Sequence, residues 1–247
     1  IILIPLFLLT IINDIYKNKS VSKLTLACLL NSLSVAQEEW PRWRGADLSD
    51  HSPDKGLLKK WPKNGPEQIW LYKDAGIGYS GTAISGGKFF TMGERDGEIY
   101  LIAIDIKNGK ELWSTKFAKG FKNNWGNGPR GTPTVDGDKV YALAPKGEVI
   151  CLNVKDGSEI WNSDLVDFGG KAPYWGFSES VLVDKDKIVV TPGGGKGAIV
   201  ALNKETGKLI WQSEEIKDGA QYSSIIPIKH NGTDQYLSLI HISEPTR

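Results

Sequence analysis

Along residues 80–228 the apolar positions fall in short runs, and each run ends at a turn signal. Thr132-Pro-Thr-Val135 stops at Asp136-Gly137, and Lys139-Val-Tyr-Ala-Leu143 stops at Pro145-Lys146-Gly147. Glu148-Val-Ile-Cys-Leu152 stops at Lys155-Asp156-Gly157, and Ser158-Glu-Ile-Trp161 closes the group. β-Branched and aromatic residues fill these runs, and glycine accepts the positive φ that a tight hairpin turn demands. No window of about 11 residues in this region keeps a helical apolar period. The pattern therefore predicts a four-stranded antiparallel meander. Ser80–Ile84, Lys88–Met92, Glu98–Ile104 and Lys110–Trp113 predict a second such unit, and Ser180–Val183, Lys187–Thr191, Ala198–Asn203 and Lys208–Trp211 a third. A further unit begins at Ser223–Ile228, and Glu67–Tyr72 reads as an isolated strand after the loop marked by Pro62, Gly65 and Pro66.

The units repeat one another. Ala103–Trp113 (A-I-D-I-K-N-G-K-E-L-W) returns as C-L-N-V-K-D-G-S-E-I-W at Cys151–Trp161 and as A-L-N-K-E-T-G-K-L-I-W at Ala201–Trp211. The three tryptophans lie 48 and 50 residues apart, and Trp70 is a candidate earlier member, 43 residues before Trp113. Self-similarity at that period in an all-β pattern is the mark of a β-propeller, with one meander per blade. Asp105, Gly109 and Trp113, then Asn153, Gly157 and Trp161, then Asn203, Gly207 and Trp211 are the structural residues of the repeat. The glycines should take positive φ, and the indoles should pack between adjacent blades.

The D-x-x-x-G-K-x-x-W signature resembles the repeat of pyrroloquinoline-quinone (PQQ) type β-propellers. That superfamily includes quinoprotein alcohol dehydrogenases and the non-enzymatic outer-membrane assembly protein BamB. Trp40–Gly45 (W-P-R-W-R-G) together with Gly128–Leu143 (G-P-R-G-T-P-T-V-D-G-D-K-V-Y-A-L) is similar to a bacterial PQQ-like branch abundant in planctomycete-type genomes. The resemblance spans about Trp40 to Tyr236. It implies a ring of seven or eight blades, of which this chain carries about three complete and some partial ones. In such a ring Glu67–Tyr72 would complete the last blade as its outermost strand. A fold of this kind hosts enzymes and scaffolds alike.

Composition narrows the partners. Thirty Lys and Arg against 29 Asp and Glu leave a net charge of +1, which argues against nucleic acid and against a lipid surface. Two distant cysteines give neither a disulfide framework nor a metal spacing, and Cys151 reads as a small core hydrophobe.

The ends read differently from the middle. Lys17–Lys23 is basic, Leu24–Leu30 apolar, and Ser34-Val35-Ala36 a small-x-small site, together a secretory signal with cleavage expected after Ala36. Thr25-Leu26-Ala27 is a poor lipobox, so Cys28 is expected to leave with the leader and not to anchor a lipid. A periplasmic or secreted mature chain without a transmembrane segment follows. The chain opens on Ile and has a single Met, Met92, so its true start is expected to lie elsewhere. Leu237–Arg247 (L-S-L-I-H-I-S-E-P-T-R) departs from the blade pattern and resembles the translation of a sequencing adapter. On that reading His241 carries no chemistry and the natural sequence continues past Tyr236. The expected division is a leader over 1–36, a lead-in over 37–66, an incomplete propeller over 67–236 and an artefactual tail over 237–247.

Candidate function lies where the repeats differ, at the entry to each innermost strand. Aligned copies place Tyr79-Ser80, Arg130-Gly131, Ser178-Glu179 and Tyr222-Ser223 together, so Tyr79, Arg130, Glu179 and Tyr222 should ring the mouth of the central channel. Trp125 and Trp175, in the loops before two of these strands, join them as candidates. Arg130 and Glu179 are expected to pair with each other, since buried charges need partners. Under the resemblance a dehydrogenase would bring PQQ and Ca²⁺, with Arg130 and Glu179 the only residues to nominate for them. No vicinal cysteines and no catalytic residues stand out. The Gly-rich stretch Pro192–Gly197 lacks the Lys-Ser/Thr ending of a phosphate loop and reads as a hairpin turn. Trp40 and Trp43 with their arginines are expected to cap the propeller. The reading is an exported, non-catalytic binding or assembly scaffold for a protein partner or a small polar or glycan ligand. A PQQ-dependent alcohol dehydrogenase and a carbohydrate-associated propeller are the alternatives.

Overall fold

The computed structural model describes residues 39–238; the leader, its cleavage site, Cys28 and residues 239–247 lie outside the described residues. β1 (Ala83–Ser85), β2 (Lys88–Arg95), β3 (Glu98–Asp105) and β4 (Glu111–Lys119) pair in that order as one antiparallel sheet. β5 (Thr134–Asp136), β6 (Lys139–Leu143), β7 (Glu148–Asn153) and β8 (Glu159–Asp164) form the second sheet. β9 (Leu182–Asp184), β10 (Lys187–Val190), β11 (Val200–Asn203) and β12 (Leu209–Gln212) form the third. β13 (Ile226–His230) and β14 (Thr233–Leu237) make a lone hairpin, the inner half of a fourth unit. Leu237 ends β14 opposite Ile226, so the regular pattern runs one residue into the stretch expected to be tail. The architecture is an all-β array of propeller blades.

Both faces of each blade are buried, which is why the strands read as continuous apolar runs. In β6, Val140 and Ala142 pack toward the first blade with Phe90, Met92 and Leu101. Tyr141 and Leu143, on the opposite face, join Ile188, Val190 and Leu202 of the third blade. Side chains alternate across a strand, so one five-residue run feeds two interblade cores. Cys151 is fully buried opposite Trp161, and burial pushes its thiol up to about 12.

The repeat signature makes one contact three times. Asp105, Asn153 and Asn203 each accept backbone N–H groups of the following turn on Oδ1. That turn brings Gly109, Gly157 and Gly207 to φ of 69°, 71° and 69°. Against each glycine lies the indole of the preceding unit: Trp70 on Gly109, Trp113 on Gly157 and Trp161 on Gly207. Each indole Nε1 also donates to a backbone carbonyl beside that turn, Ile106 O at 2.8 Å, Val154 O at 3.2 Å and Lys204 O at 2.9 Å. A Cβ on any of the three glycines would lie 2.6–2.8 Å from the ring. Glycine is therefore fixed twice, by backbone sign and by the indole.

Trp70 completes this series although residues 67–72 are not a strand, contrary to expectation. An extended segment becomes a strand only when a neighbour pairs with it, and no described strand pairs with this one, although Trp70 and Tyr72 touch side chains of β2 and β4. Ile69 is 84% exposed, against 46% and 40% for its repeat equivalents Leu112 and Ile160. Upstream, the lead-in crosses the innermost strands in turn. Trp40 exchanges backbone hydrogen bonds with Ile84, Pro41 O accepts from Val135 N, and Arg42 Nη1 donates to Val183 O. The Trp40 ring covers Gly45 as a cap should, but Trp43 stays 37% exposed with Arg44 over its ring.

Candidate functional site

The four entry positions converge. Tyr79, Trp125, Arg130, Trp175, Ser178 and Tyr222 line one cavity of about 300 Å³ at the ends of the inner strands. Five of the six sequence candidates are thus brought together. Ser178 adds itself, and repeat alignment could have found it, since it is the equivalent of Tyr79, Arg130 and Tyr222.

Three loops build this mouth by handing an aromatic ring to the next. In the loop after β4, Asn123 Oδ1 accepts from Trp125 N, and Asn123 Nδ2 donates to Tyr174 O in the loop after β8. Trp125 and Tyr174 meet edge to face, centroids 5.4 Å apart at 85°. Trp175 stacks on Tyr222 from the loop after β12 at 4.6 Å and 15°. Gly126, at φ 136°, has the Tyr79 ring where a Cβ would stand, so only glycine lets that ring lie on the loop. Tyr79, Trp125, Tyr174 and Tyr222 are each more than half exposed, so the rings form a rim and not a closed pocket.

Arg130 is held at the centre. Its Nη1 donates to Gly128 O at 2.5 Å and its Nη2 to Gly126 O at 2.7 Å. The guanidinium lies 4.9 Å from the Phe121 ring centre and 6.0 Å from that of Tyr79. Phe121 is a member the sequence did not suggest; nothing in its local pattern sets it apart from a core residue. Burial lowers the Arg130 pKa.

Glu179 does not join the mouth, and the expected pair with Arg130 is not made. Its side chain turns to its own blade, where Thr191 N and Thr191 Oγ1 donate to the two carboxyl oxygens. Ser80 does the same work in the first blade, accepting from Met92 N at 3.2 Å. Glu179 is 3% exposed, and burial lifts its carboxyl to about 7. The inner ring is crowded, as expected: a Cβ on Gly81 would meet Thr132 Oγ1 at 2.2 Å, and one on Gly131 would meet Glu179 O at 2.5 Å.

A larger cavity of about 520 Å³ lies elsewhere, between Trp211 and the β13–β14 hairpin. It occupies the place that a glycine turn fills beside Trp70, Trp113 and Trp161, so it reads as an open interblade slot. Pro192–Gly197 is a turn whose N–H groups go to backbone carbonyls, Gly193 N to Ala198 O, Gly194 N to Asp218 O and Gly197 N to Gly194 O.

A family model described as "Outer membrane protein assembly factor BamB", of PQQ-type repeats, matches residues 45–228. The chain belongs to this family. Among curated proteins, this PQQ-like propeller is 31% identical over 64 residues to the outer membrane protein assembly factor BamB of Marinobacter adhaerens; that stretch is 26% of the chain and 14% of the relative. Among solved structures it is similar to a quinohemoprotein alcohol dehydrogenase from Comamonas testosteroni, at TM-score 0.52 and 19% identity, over 73% of this chain and 28% of the other. BamB from Moraxella catarrhalis superposes at TM-score 0.41 and 22% identity, over 59% and 39%. The chain thus spans only part of the length of these relatives, and the dehydrogenase likeness speaks to the fold alone.

The quinone and calcium that a dehydrogenase of this fold would require can be weighed against the residues present. Glu179, the carboxylate nominated for calcium, has both oxygens committed to Thr191 and lies outside the lining. Arg130 has two donors committed to backbone carbonyls. Among the described residues this set does not fit a calcium-bound quinone at the mouth.

Proposed function

We propose that this PQQ-like propeller is an exported, non-catalytic scaffold that engages a protein partner at the aromatic mouth. One observation carries the reading. The residues that break the repeat converge on a rim of tyrosines and tryptophans around a fixed arginine. Trp, Tyr and Arg are the side chains that dominate the energy of protein–protein contacts. A rim so exposed suits a macromolecule better than a small ligand, whose pocket encloses most of its surface. Export is supported by the leader pattern at Lys17–Ala36 and by the assembly-factor description of the matched family model.

The test pairs a crosslink in living cells with a titration of the purified chain. A photo-crosslinking residue at Trp125 or Tyr222 should capture one cell-envelope protein in living cells, and Trp175→Ala should abolish that crosslink. Titration with PQQ and Ca²⁺ should give no binding and no dye-linked alcohol oxidation. Tight, Ca²⁺-dependent quinone binding with alcohol oxidation would overturn the scaffold reading, and retention of a leader-bearing chain in the cytoplasm would overturn export.

A further inference from the structure

We infer that the mouth is a receptor for carboxylates, and that its partner presents an Asp or Glu side chain beside an apolar or aromatic one in an exposed peptide segment. The inference rests on the scaffold reading and names the chemistry of its partner.

The charge balance of the site points there. Arg130 carries the formal charge of the lining; the other five residues are tyrosines, tryptophans and a serine. Among the described residues no carboxylate forms an ion pair with it, and no carboxylate figures among the groups that act on its charge. The obvious candidate, Glu179, is turned away onto Thr191. A partly buried guanidinium without a counter-charge is costly, and an anion that arrives from outside removes that cost.

Donor geometry agrees. Two of the five guanidinium N–H groups hold Gly126 O and Gly128 O, which fixes the plane of the fork and leaves the remaining donors for a ligand. Trp175 Nε1, in the same lining, is buried with no hydrogen-bond partner. An indole N–H is donor only, so it too asks for an acceptor. A cation in the lining, with an unsatisfied buried N–H on a neighbouring lining residue, favours an oxyanion over a neutral or cationic group.

The rings decide the source of the oxyanion. Tyr79, Trp125 and Tyr222 expose more than half of their surface around Arg130, and Tyr174 extends that rim. Flat apolar faces beside one anion-binding centre match an acidic residue flanked by aliphatic or aromatic neighbours. A free small acid would satisfy Arg130 and leave the rim wet, so the rim favours a peptide.

The experiment selects phage-displayed random peptides on the purified chain and then measures the binding of synthetic copies by fluorescence anisotropy. Selected peptides should carry Asp or Glu next to an apolar residue, and their affinity should fall as NaCl rises. Replacing that Asp by Asn, or Glu by Gln, should weaken binding about tenfold or more, the scale of a charge-assisted hydrogen bond. Arg130→Gln should give a similar loss and flatten the salt dependence. Trp175→Phe, which keeps a ring and removes the N–H, should give a smaller loss for the acidic peptide and none for its amide counterpart. The peptide substitutions need no protein variant, so misfolding of Arg130→Gln cannot mask the answer. Neutral or basic peptides that bind at the mouth would overturn the carboxylate inference and leave the scaffold reading standing. No peptide selected, with free PQQ and Ca²⁺ bound instead, would overturn both. Benzoate bound through Arg130 without any peptide would overturn the peptide source.

Discussion

Gly207→Ala asks whether the indole-on-turn contact itself joins neighbouring blades. Gly207 sits at φ 69°, and a Cβ there would stand 2.6 Å from Trp161 Cε3 and 2.9 Å from Cδ2. Gly137 is a matched control in the β5–β6 turn, at φ 59° with nothing within 4 Å of its Cβ. Both replacements carry the left-handed backbone penalty of about 1–2 kcal/mol. Only Gly207→Ala adds overpacking against a ring, about 1–3 kcal/mol more. The Trp161 ring has little room to retreat, because it is 7% exposed and its Nε1 is held on Lys204 O at 2.9 Å. The expected costs are therefore about 1–2 kcal/mol for Gly137→Ala and about 2–5 kcal/mol for Gly207→Ala. Urea unfolding followed by far-UV circular dichroism measures both. In the background of Trp161→Ala the two alanines should cost the same, since the ring they differ by is gone. Equal costs in the native background, or strict additivity in the double variant, would refute the contact. Gly109→Ala extends the test to Trp70, which docks as the later indoles do, and should behave like Gly207→Ala.

Trp161→Ala alone should cost about 3–5 kcal/mol, the range for emptying a buried aromatic site, and a loss below about 1 kcal/mol in urea unfolding would contradict its placement. Glu179 gives a pH signature. Its folded pKa of about 7 lies above the ordinary 4.5, so the folded state favours the protonated carboxyl. Its contribution is complete below about pH 4.5 and is lost as pH rises through about 7, which should cost wild type up to about 3 kcal/mol relative to Glu179→Gln. Denaturation midpoints from pH 5 to 8 should converge at the acid end and part at the alkaline end. Cys151, fully buried with its thiol raised to about 12, should resist Ellman's reagent in the folded protein prepared without residues 1–36, which removes Cys28, and react once urea is added.

The blades were legible because most strands are bounded by a glycine turn and the turns recur; the β9–β10 turn instead places Lys185 at φ 56°. Where the recurrence stopped, legibility stopped with it. β4 runs on to Lys119, well past Trp113, because its outer half is stabilised by pairing with β3. The repeat signature ends at the tryptophan and gives no hint of that extension. Glu67–Tyr72 has strand-like residues, but pairing needs a neighbour that a sequence run cannot display. The mouth was half legible. Repeat alignment placed Tyr79, Arg130 and Tyr222 together, yet alignment gives position and not direction. The equivalence of Glu179 with Ser80 held the missing information, since both side chains serve the N–H of the second strand in their own blade.

That equivalence also explains why the mouth can differ between blades while the blades do not. At the crowded ring, Ser80 Oγ donates to Gly131 O, Thr132 N donates to Ser180 Oγ, and Ser180 N donates to Ser224 Oγ. These bonds tie each inner strand to the next and accept only small side chains. One or two residues earlier, at Tyr79, Arg130, Ser178 and Tyr222, the chain has left the ring and its side chain enters the open mouth. Blade closure places no demand on the chemistry of that position, so tyrosine, arginine and serine all occur there within one chain. The constraint is geometric and the variation is chemical. A fold built this way can be retuned for a new partner by changing a residue at each entry, which is how one propeller architecture can serve recognition without any change in its core.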